Sequence, residues 1–363
     1  MRGTVVTLAM PDGRVVPLGI GRDGNWVPAD AAWPMTELGD GVALPGLVDA
    51  HAHLSSADTQ DMNGATDHLV AERIATHATA QLEAGVLLVA DKGTHLVDTV
   101  AMTHSLTPSH RPEVQLAGRF LANQGGYYHG YAIEVPGDEL VSALDAATPD
   151  GAVWVKIIGD WPRRGVGAVP NFDENALRRL SEAAHVRGLR TAIHTAAPET
   201  PGMAVRAGVD SIEHGLFLTE DDLAQLGARG GGWVPTVAAM EKLAQQLGPE
   251  SSGGRLLAEG LDNVRSLLPH AAGAGVAVMA GTDLALEHGA VVDDALTLLE
   301  YGLDEAAVVE AVTTGPRRFL NEPGFTFGRP ADFIVVDQPD SVAALAAPQL
   351  VVRCGVVVVD ARG

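Results

Sequence analysis

The chain has 363 residues, 46% of them hydrophobic, and a formal net charge of −22. That length and apolar content suit one large domain with a smaller appendage, and the acidity would repel a polyanion, which excludes nucleic acid as a partner. A single cysteine, Cys354, excludes an intramolecular disulfide and leaves nitrogen and oxygen as the ligands for any metal.

At the N-terminus the run from Thr4 to Met10 is too short and mixed for a signal peptide and is followed directly by Pro11, Asp12 and Gly13. No apolar stretch approaches the roughly 20 residues that a bilayer span requires, so a cytoplasmic protein with no membrane partner is expected. Residues 1–43 read as strands and turns, as in Arg14 to Ile20. Next come eight short apolar runs: Gly46 to Leu54, Val86 to Gly93, Val114 to Leu121, Ala152 to Ile158, Leu189 to Thr195, Val209 to Gly215, Trp233 to Val237 and Val276 to Asp283. They alternate with stretches of helical periodicity, the signature of repeated βα units. One helix is expected from Asp67 to Leu82. Another is capped by Asp173, carries an apolar stripe of Leu177, Leu180 and Ala184, and stops at Gly188. Pro162 to Pro170 reads as a long functional loop. The expected fold is α/β, a (β/α)8 TIM barrel over residues 44–323. Residues 324–363 return to strand-and-turn material at Asp332 to Asp337 and Val351 to Asp360, and are expected to join residues 1–43 in one small β domain.

The chemistry gathers at strand ends. His51 and His53 sit two apart on a strand, so their side chains project to the same side. Two converging imidazoles suit a divalent metal, although an isolated His-x-His serves equally well as two hydrogen-bonded polar residues. His194, His214 and Asp283 also fall at the C-terminal ends of expected strands, the face on which barrel active sites are built. Only three lysines occur, Lys92, Lys156 and Lys242. Lys156 lies in the apolar strand Ala152-Val-Trp-Val-Lys-Ile-Ile158, where a bare ammonium is costly without a partner. It is either a structural ion pair or a functional amine. Lys92 reads as an ordinary supporting or surface residue.

The stretch Leu44-Pro-Gly-Leu-Val-Asp-Ala-His-Ala-His-Leu54 resembles the first-strand signature of the amidohydrolase superfamily. Ile212-Glu-His-Gly215 and Gly281-Thr-Asp283 resemble its sixth- and eighth-strand motifs, and Ala311 to Leu320 followed by Gly328-Arg-Pro-Ala-Asp332 resembles its closing segment. The resemblance covers essentially the whole chain. It implies a binuclear site in which Lys156, carboxylated by carbon dioxide, bridges two divalent ions, most simply zinc. One ion would rest on His51, His53, Lys156 and Asp283, the other on Lys156, His194 and His214. A metal-bridging hydroxide would be the nucleophile, and Asp283 the general base that later serves as acid.

Deaminases of the superfamily often carry a glutamate three residues after the fifth-strand histidine, where this chain has Ala197. The resemblance is closer to the branch of Xaa-Pro dipeptidases and imidazolonepropionase-like enzymes, which implies hydrolysis of an amide or peptide-type C–N bond in a small molecule. In Asn123-Gln-Gly-Gly-Tyr-Tyr-His-Gly130, Tyr128 and His129 are candidates to polarise a carbonyl or hold a carboxylate; an ordinary surface loop is the competing reading. Trp161 could wall the site, Arg163 or Arg164 could recognise a carboxylate, and His288 could position substrate or support Asp283. His68, His77, His95, His104, His110, His185 and His270 read as structural or surface residues. Hydrolysis of a cyclic amide or carbamate, or deamination, would use the same site, and a non-catalytic barrel scaffold is the alternative from another class. A homo-oligomer is left open.

Overall fold

The computed structural model describes residues 1–56, 67–96, 98–163 and 165–362. Eight strands carry the site: β1 (Leu47–Ala52), β2 (Val86–Asp91), β3 (Glu113–Leu116), β4 (Trp154–Ile158), β5 (Arg190–Thr195), β6 (Ser211–His214), β7 (Gly232–Val234) and β8 (Ala277–Val278). Their apolar runs are continuous because both faces are covered, as parallel sheets require; β1, β2 and β4 are buried at every position.

Strands β1 to β3 pair in parallel as one arc, and β4 to β8 as a second, which Leu121–Ala122 and Ile133–Glu134 extend beyond β4. The arcs meet at two seams. At one, Ala117 bridges Trp154, and Val153 N donates to Leu116 O at 2.8 Å. At the other, Ala52 bridges Asp283, while Ala50 N donates to Ala280 O at 3.0 Å and Asp283 N to His51 O at 2.7 Å. The arrangement is α/β and TIM-barrel-like.

The helices pack against these strands through apolar stripes. Helix α1 (Asp67–Glu83) buries Val70, Ile74, Ala78 and Leu82. In α2 (Glu174–Val186) the Asp173 side chain accepts from Ala176 N, Leu177, Leu180 and Ala184 are buried, and Gly188 adopts a φ of 72° just beyond the end. Helix α3 (Val237–Leu247) follows β7. Among the described residues no helix is long and apolar enough to cross a membrane.

The sequence expectations erred at three places. The eighth strand is regular only over Ala277–Val278, and Asp283 lies not on it but at a left-handed φ of 52° that no strand continues. The third stops at Leu116 and resumes as Leu121–Ala122, with Gly118 between them, where a side chain would meet Ala147 O at 2.0 Å. The stretch read as a long loop is a hairpin, Asp160–Arg163 paired antiparallel with Gly167–Pro170; Arg164 lies outside the described residues.

Strands from both ends of the chain form one eight-stranded sheet. Its order is Val356–Asp360, Leu350–Arg353, Phe333–Val336, Val42–Leu44, Thr4–Ala9, Val15–Ile20 and Trp26–Val27, with Met35–Thr36 beside Thr4–Ala9. Val6, Leu8, Ile20, Trp26, Phe333 and Val352 form a core of their own on it.

Candidate metal centre

Three histidines are brought together by strand ends and fixed through the same ring nitrogen. His51 Nδ1 lies 2.7 Å from Glu213 Oε2. His53 Nδ1 donates to Gly93 O at 2.6 Å. His214 Nδ1 lies 2.6 Å from Thr236 Oγ1, whose hydroxyl donates onward to Pro235 O at 2.8 Å and so must accept from the ring. With Nδ1 of His53 and of His214 occupied as donors and Nδ1 of His51 set against the Glu213 carboxylate, Nε2 is the ring atom left to act as a ligand, the arrangement that orients imidazoles toward a metal. Asp283 Oδ1 lies 3.4 Å from His53 Nε2 and 3.6 Å from His51 Nε2. The ligand atoms of His51, His53 and Asp283 all fall within 4.8 Å of one another and could hold a metal ion.

Lys156 and His194 complete the cluster. Lys156 is 3% exposed, and its Nζ is 3.4 Å from His51 Nε2; among the described residues no carboxylate oxygen lies within 4.0 Å of it. Its pKa falls to about 8, burial being the main cause and Lys92 a further one, against the opposing pull of Glu213 and Asp283. The His194 ring stands 4.6 Å from that of His214, with Nε2 3.9 Å from Asp160 Oδ1. Burial, then Lys156, draws His51 down to about 4 and His194 to about 3, so both rings are neutral near pH 7 and able to ligate. Asp283, although buried, keeps its carboxyl well below the usual carboxylate range where the His51, His53 and His214 rings face it.

Several supporting groups escaped the sequence reading. Glu213, fully buried, joins His51 to Lys92 Nζ at 3.2 Å and accepts from Ser211 Oγ at 2.7 Å. Lys92, read from sequence as a supporting or a surface residue, is the former, buried with its ammonium 4.1 Å over the Trp154 ring. Asp91 accepts from Leu54 N and Gly93 N, each at 2.8 Å, and so sets the carbonyl that holds His53. Asp49 accepts from His51 N, Thr282 N, Thr282 Oγ1 and Gln81 Nε2, tying β1 to the Asp283 turn. His214, Thr236 and Asp283 have φ values of 63°, 47° and 52°. Left-handed backbone at three non-glycine residues of one cluster is strain concentrated where ligands are aimed.

A cavity of about 620 Å³ opens onto the cluster, lined by the five site residues His51, His53, Lys156, His194 and His214 together with Asp283, and walled by Phe120, Tyr127, Tyr128 and Trp161. Trp161 and Tyr128 thus reach the site, with ring centroids 4.9 Å apart. Half-buried Tyr127, in ring contact with both, was missed; it stands 4.6 Å from Trp161 and 5.2 Å from Tyr128. The remaining candidates lie elsewhere. Tyr131 N donates to Tyr128 O at 3.0 Å, so His129 and Gly130 form the tip of a turn; His129 is exposed and does not line the cavity. Arg163 is also absent from the lining, its Nη2 donating to Asn171 Oδ1 at 3.1 Å. His288 lines an adjoining cavity that Asp283 and Lys242 share with it, and stacks on His77 at 4.0 Å, which gives His77 the partner its sequence context had concealed.

The model of the amidohydrolase family matches residues 42–358 of the chain. An uncharacterized protein of Mycobacterium tuberculosis (strain ATCC 25618 / H37Rv) is 31% identical over 365 residues, covering 96% of this chain and 93% of that protein. Among solved structures, a Xaa-Pro dipeptidase with bound methionine in the active site is similar with a TM-score of 0.79 at 22% identity, covering 98% of this chain and 99% of that one. Aspergillus niger ochratoxinase is similar with a TM-score of 0.80 at 17% identity, covering 98% and 95%. At these identities the two structures bear on the fold.

Proposed function

The chain belongs to the amidohydrolase family, and from that premise we propose that it is a metal-dependent hydrolase cleaving an amide or peptide-type C–N bond of a small molecule. The observation that carries this reading is the convergence of two imidazole nitrogens and a carboxylate oxygen, from His51, His53 and Asp283, within 4.8 Å of one another, a set suited to a divalent cation. In this reading His51, His53, Lys156 and Asp283 would hold one divalent ion, most simply zinc, and Lys156, His194 and His214 would hold a second. Such ions supply an activated water and a polarised scissile carbonyl. Carboxylation of Lys156 is supported by its burial, by the lack of a carboxylate partner among the described residues and by a pKa low enough to leave part of the amine neutral. Asp283 accepts a proton from the attacking water and returns it to the departing nitrogen. Glu213, Thr236 and Gly93 hold the imidazoles in the tautomer that keeps Nε2 available. The two strand arcs are read as one (β/α)8 barrel over residues 44–323, with residues 1–43 and 324–363 as the small β domain.

Protein purified without chelators should carry close to two divalent ions per chain by elemental analysis, His51→Ala should lose them, and the loaded enzyme should hydrolyse members of a panel of dipeptides, N-acyl amino acids and cyclic amides. A metal-free protein that zinc cannot reconstitute would overturn the reading.

A further inference from the structure

A separate cavity, of about 400 Å³, shares no lining residue with the one over the metal cluster. Glu113, on its wall, opens β3, so it lies toward the strand ends opposite those that carry the histidines. Three arginines line it: Arg2, just before the strand Thr4–Ala9, Arg353, at the end of Leu350–Arg353, and Arg111, from the segment leading into β3. Arg353 is fully committed. Its Nε donates to Pro108 O at 3.0 Å and Arg111 O at 2.8 Å, its Nη1 pairs with Asp332, and its Nη2 lies 3.2 Å from Glu113 Oε2. Arg111 is 7% exposed and donates from Nη1 to Pro112 O at 3.0 Å, while its buried Nε has no hydrogen-bond partner among the described residues. Nε and Nη2 form the side-on edge of a guanidinium, the fork that grips an oxyanion with two parallel bonds. In Arg111 that edge is uncommitted among the described residues. Arg2 donates from Nε to Cys354 O at 3.1 Å and keeps both Nη groups. Among the described residues no carboxylate oxygen lies within 4.0 Å of either guanidinium. The two carboxylates on the wall are engaged elsewhere, Glu113 with Arg353 and Asp23 with Asn25 Nδ2 at 2.9 Å. A buried cation without a partner is costly, and burial pulls the Arg111 pKa below its ordinary value against the opposing charge of Glu113.

We propose that this cavity binds the phosphate group of a small organic phosphate, held by the free edge of Arg111 and the Nη groups of Arg2, with the Ser109 hydroxyl on its wall as a further donor. A planar carboxylate fills one fork. A tetrahedral dianion offers oxygens to two forks that come from different segments, and its charge answers both guanidinium groups. The volume exceeds the needs of free phosphate and leaves room for the organic part. The bound ligand ties the eight-stranded sheet, through Arg2, to the segment that enters β3, through Arg111, and stabilises the folded chain by mass action. The net charge of −22 opposes any anion at long range, so affinity comes from these contacts and persists at about 0.15 M salt, where the long-range field is screened. No residue of the metal cluster takes part, so the site stands independently of the hydrolase reading.

Calorimetric titration of the zinc-loaded full chain tests this with glycerol phosphate, inorganic phosphate and acetate. Glycerol phosphate should bind tightest, inorganic phosphate next and acetate weakest. Arg111→Gln should weaken glycerol phosphate at least tenfold, the scale of losing charge-assisted hydrogen bonds, and Arg111→Lys, which keeps the charge but not the fork, should recover only part of that loss. Arg2→Gln should weaken it about fivefold, as an exposed contact. Phosphate also meets metal ions, so His51→Ala, which should lack them, is titrated in parallel and should bind glycerol phosphate as wild type does. Folding is monitored by denaturant unfolding: glycerol phosphate should raise the midpoint of wild type and of His51→Ala but not that of Arg111→Gln, whose midpoint without ligand should equal or exceed that of wild type. Absence of binding to wild type, acetate binding as tightly as the phosphates, inorganic phosphate binding more tightly than its ester, or wild-type affinity in Arg111→Gln, Arg111→Lys or Arg2→Gln would each overturn the proposal. So would loss of binding in His51→Ala, which would place the phosphate on the metals.

Discussion

The Glu213→Gln variant probes the centre at one atom's remove. In the native chain the Glu213 carboxylate, with no measurable exposure, stands between His51 Nδ1 at 2.7 Å and Lys92 Nζ at 3.2 Å, and the Lys92 charge first, with His51 beside it, keeps it well below the usual carboxylate range despite its burial. Glutamine keeps the shape and one acceptor but removes the charge, with two separable consequences. The imidazole loses the carboxylate that fixes its tautomer and raises its basicity, a change that costs about 10- to 100-fold in metal affinity. Lys92, 1% exposed, loses its counter-charge, and breaking a buried pair by deleting one partner costs about 3–5 kcal/mol of stability.

The second consequence depends on pH. Burial already pulls the Lys92 pKa below its ordinary value, and without Glu213 it falls further. A lysine depressed in the folded state binds fewer protons there than in the unfolded chain, so stability rises with pH; the deficit of the variant should shrink from pH 6 toward pH 10. Denaturant unfolding of metal-free protein measures the stability term, and zinc titration against a competing chelator measures the affinity. Adding Lys92→Met to Glu213→Gln should restore most of the stability without restoring metal affinity, because His51 still lacks its carboxylate. A single variant that binds zinc within threefold of wild type and unfolds at the same denaturant midpoint would refute the role assigned to Glu213.

Three other substitutions follow from the geometry. Lys156→Met should reduce bound metal to one ion per chain or fewer and abolish amide hydrolysis, and intact mass under mild conditions should show an added carboxyl group on the wild type but not on the variant. Gly281→Ala places a methyl 2.6 Å from His51 Cβ and 2.9 Å from His51 N, so it should cost about 1–3 kcal/mol by overpacking and weaken zinc binding by displacing that histidine, readable by unfolding and by metal titration. Asp294, buried and accepting from Ala238 N and Gly281 N, has its pKa raised to about 7, chiefly by desolvation. A carboxyl raised in the fold keeps its proton where the unfolded chain releases it, so the stability it contributes is full below about pH 4 and is lost as pH rises through about 7, on the order of 4 kcal/mol in all. Asp294→Asn should remove that slope, so the difference between the two stability–pH curves should change by that amount between pH 4 and 8, and a constant difference over that range would refute it.

What the sequence made legible and what it concealed divide along a physical line. Candidate ligands at strand ends were readable because β-structure has a period of two and parallel strands are continuous apolar runs; His51, His53, Lys156, His194 and His214 interrupt such runs, and a polar residue there demands a reason. Asp283 was readable from its motif but not from its conformation, since a φ of 52° is set by the turn that Asp49 and Thr282 tie to β1, a contact across 233 residues. Glu213 was in plain view beside His214 and went unread. Alternation along β6 points its side chain away from that of His214, and only the neighbouring strands reveal Lys92 and His51 on that side. The Tyr127–His129 turn shows the same limit in reverse. Three adjacent residues of suitable chemistry were indistinguishable by type, and the hydrogen bond from Tyr131 N to Tyr128 O decided among them, turning His129 out to solvent while Tyr127 packs against Trp161. The candidate ligands are thus written in local pattern, whereas the groups that orient them, and the aromatic wall of the cavity, depend on which strands and loops become neighbours. Substitutions at Glu213, Thr236 or Tyr127 should therefore change affinity and selectivity while leaving every motif of the chain intact.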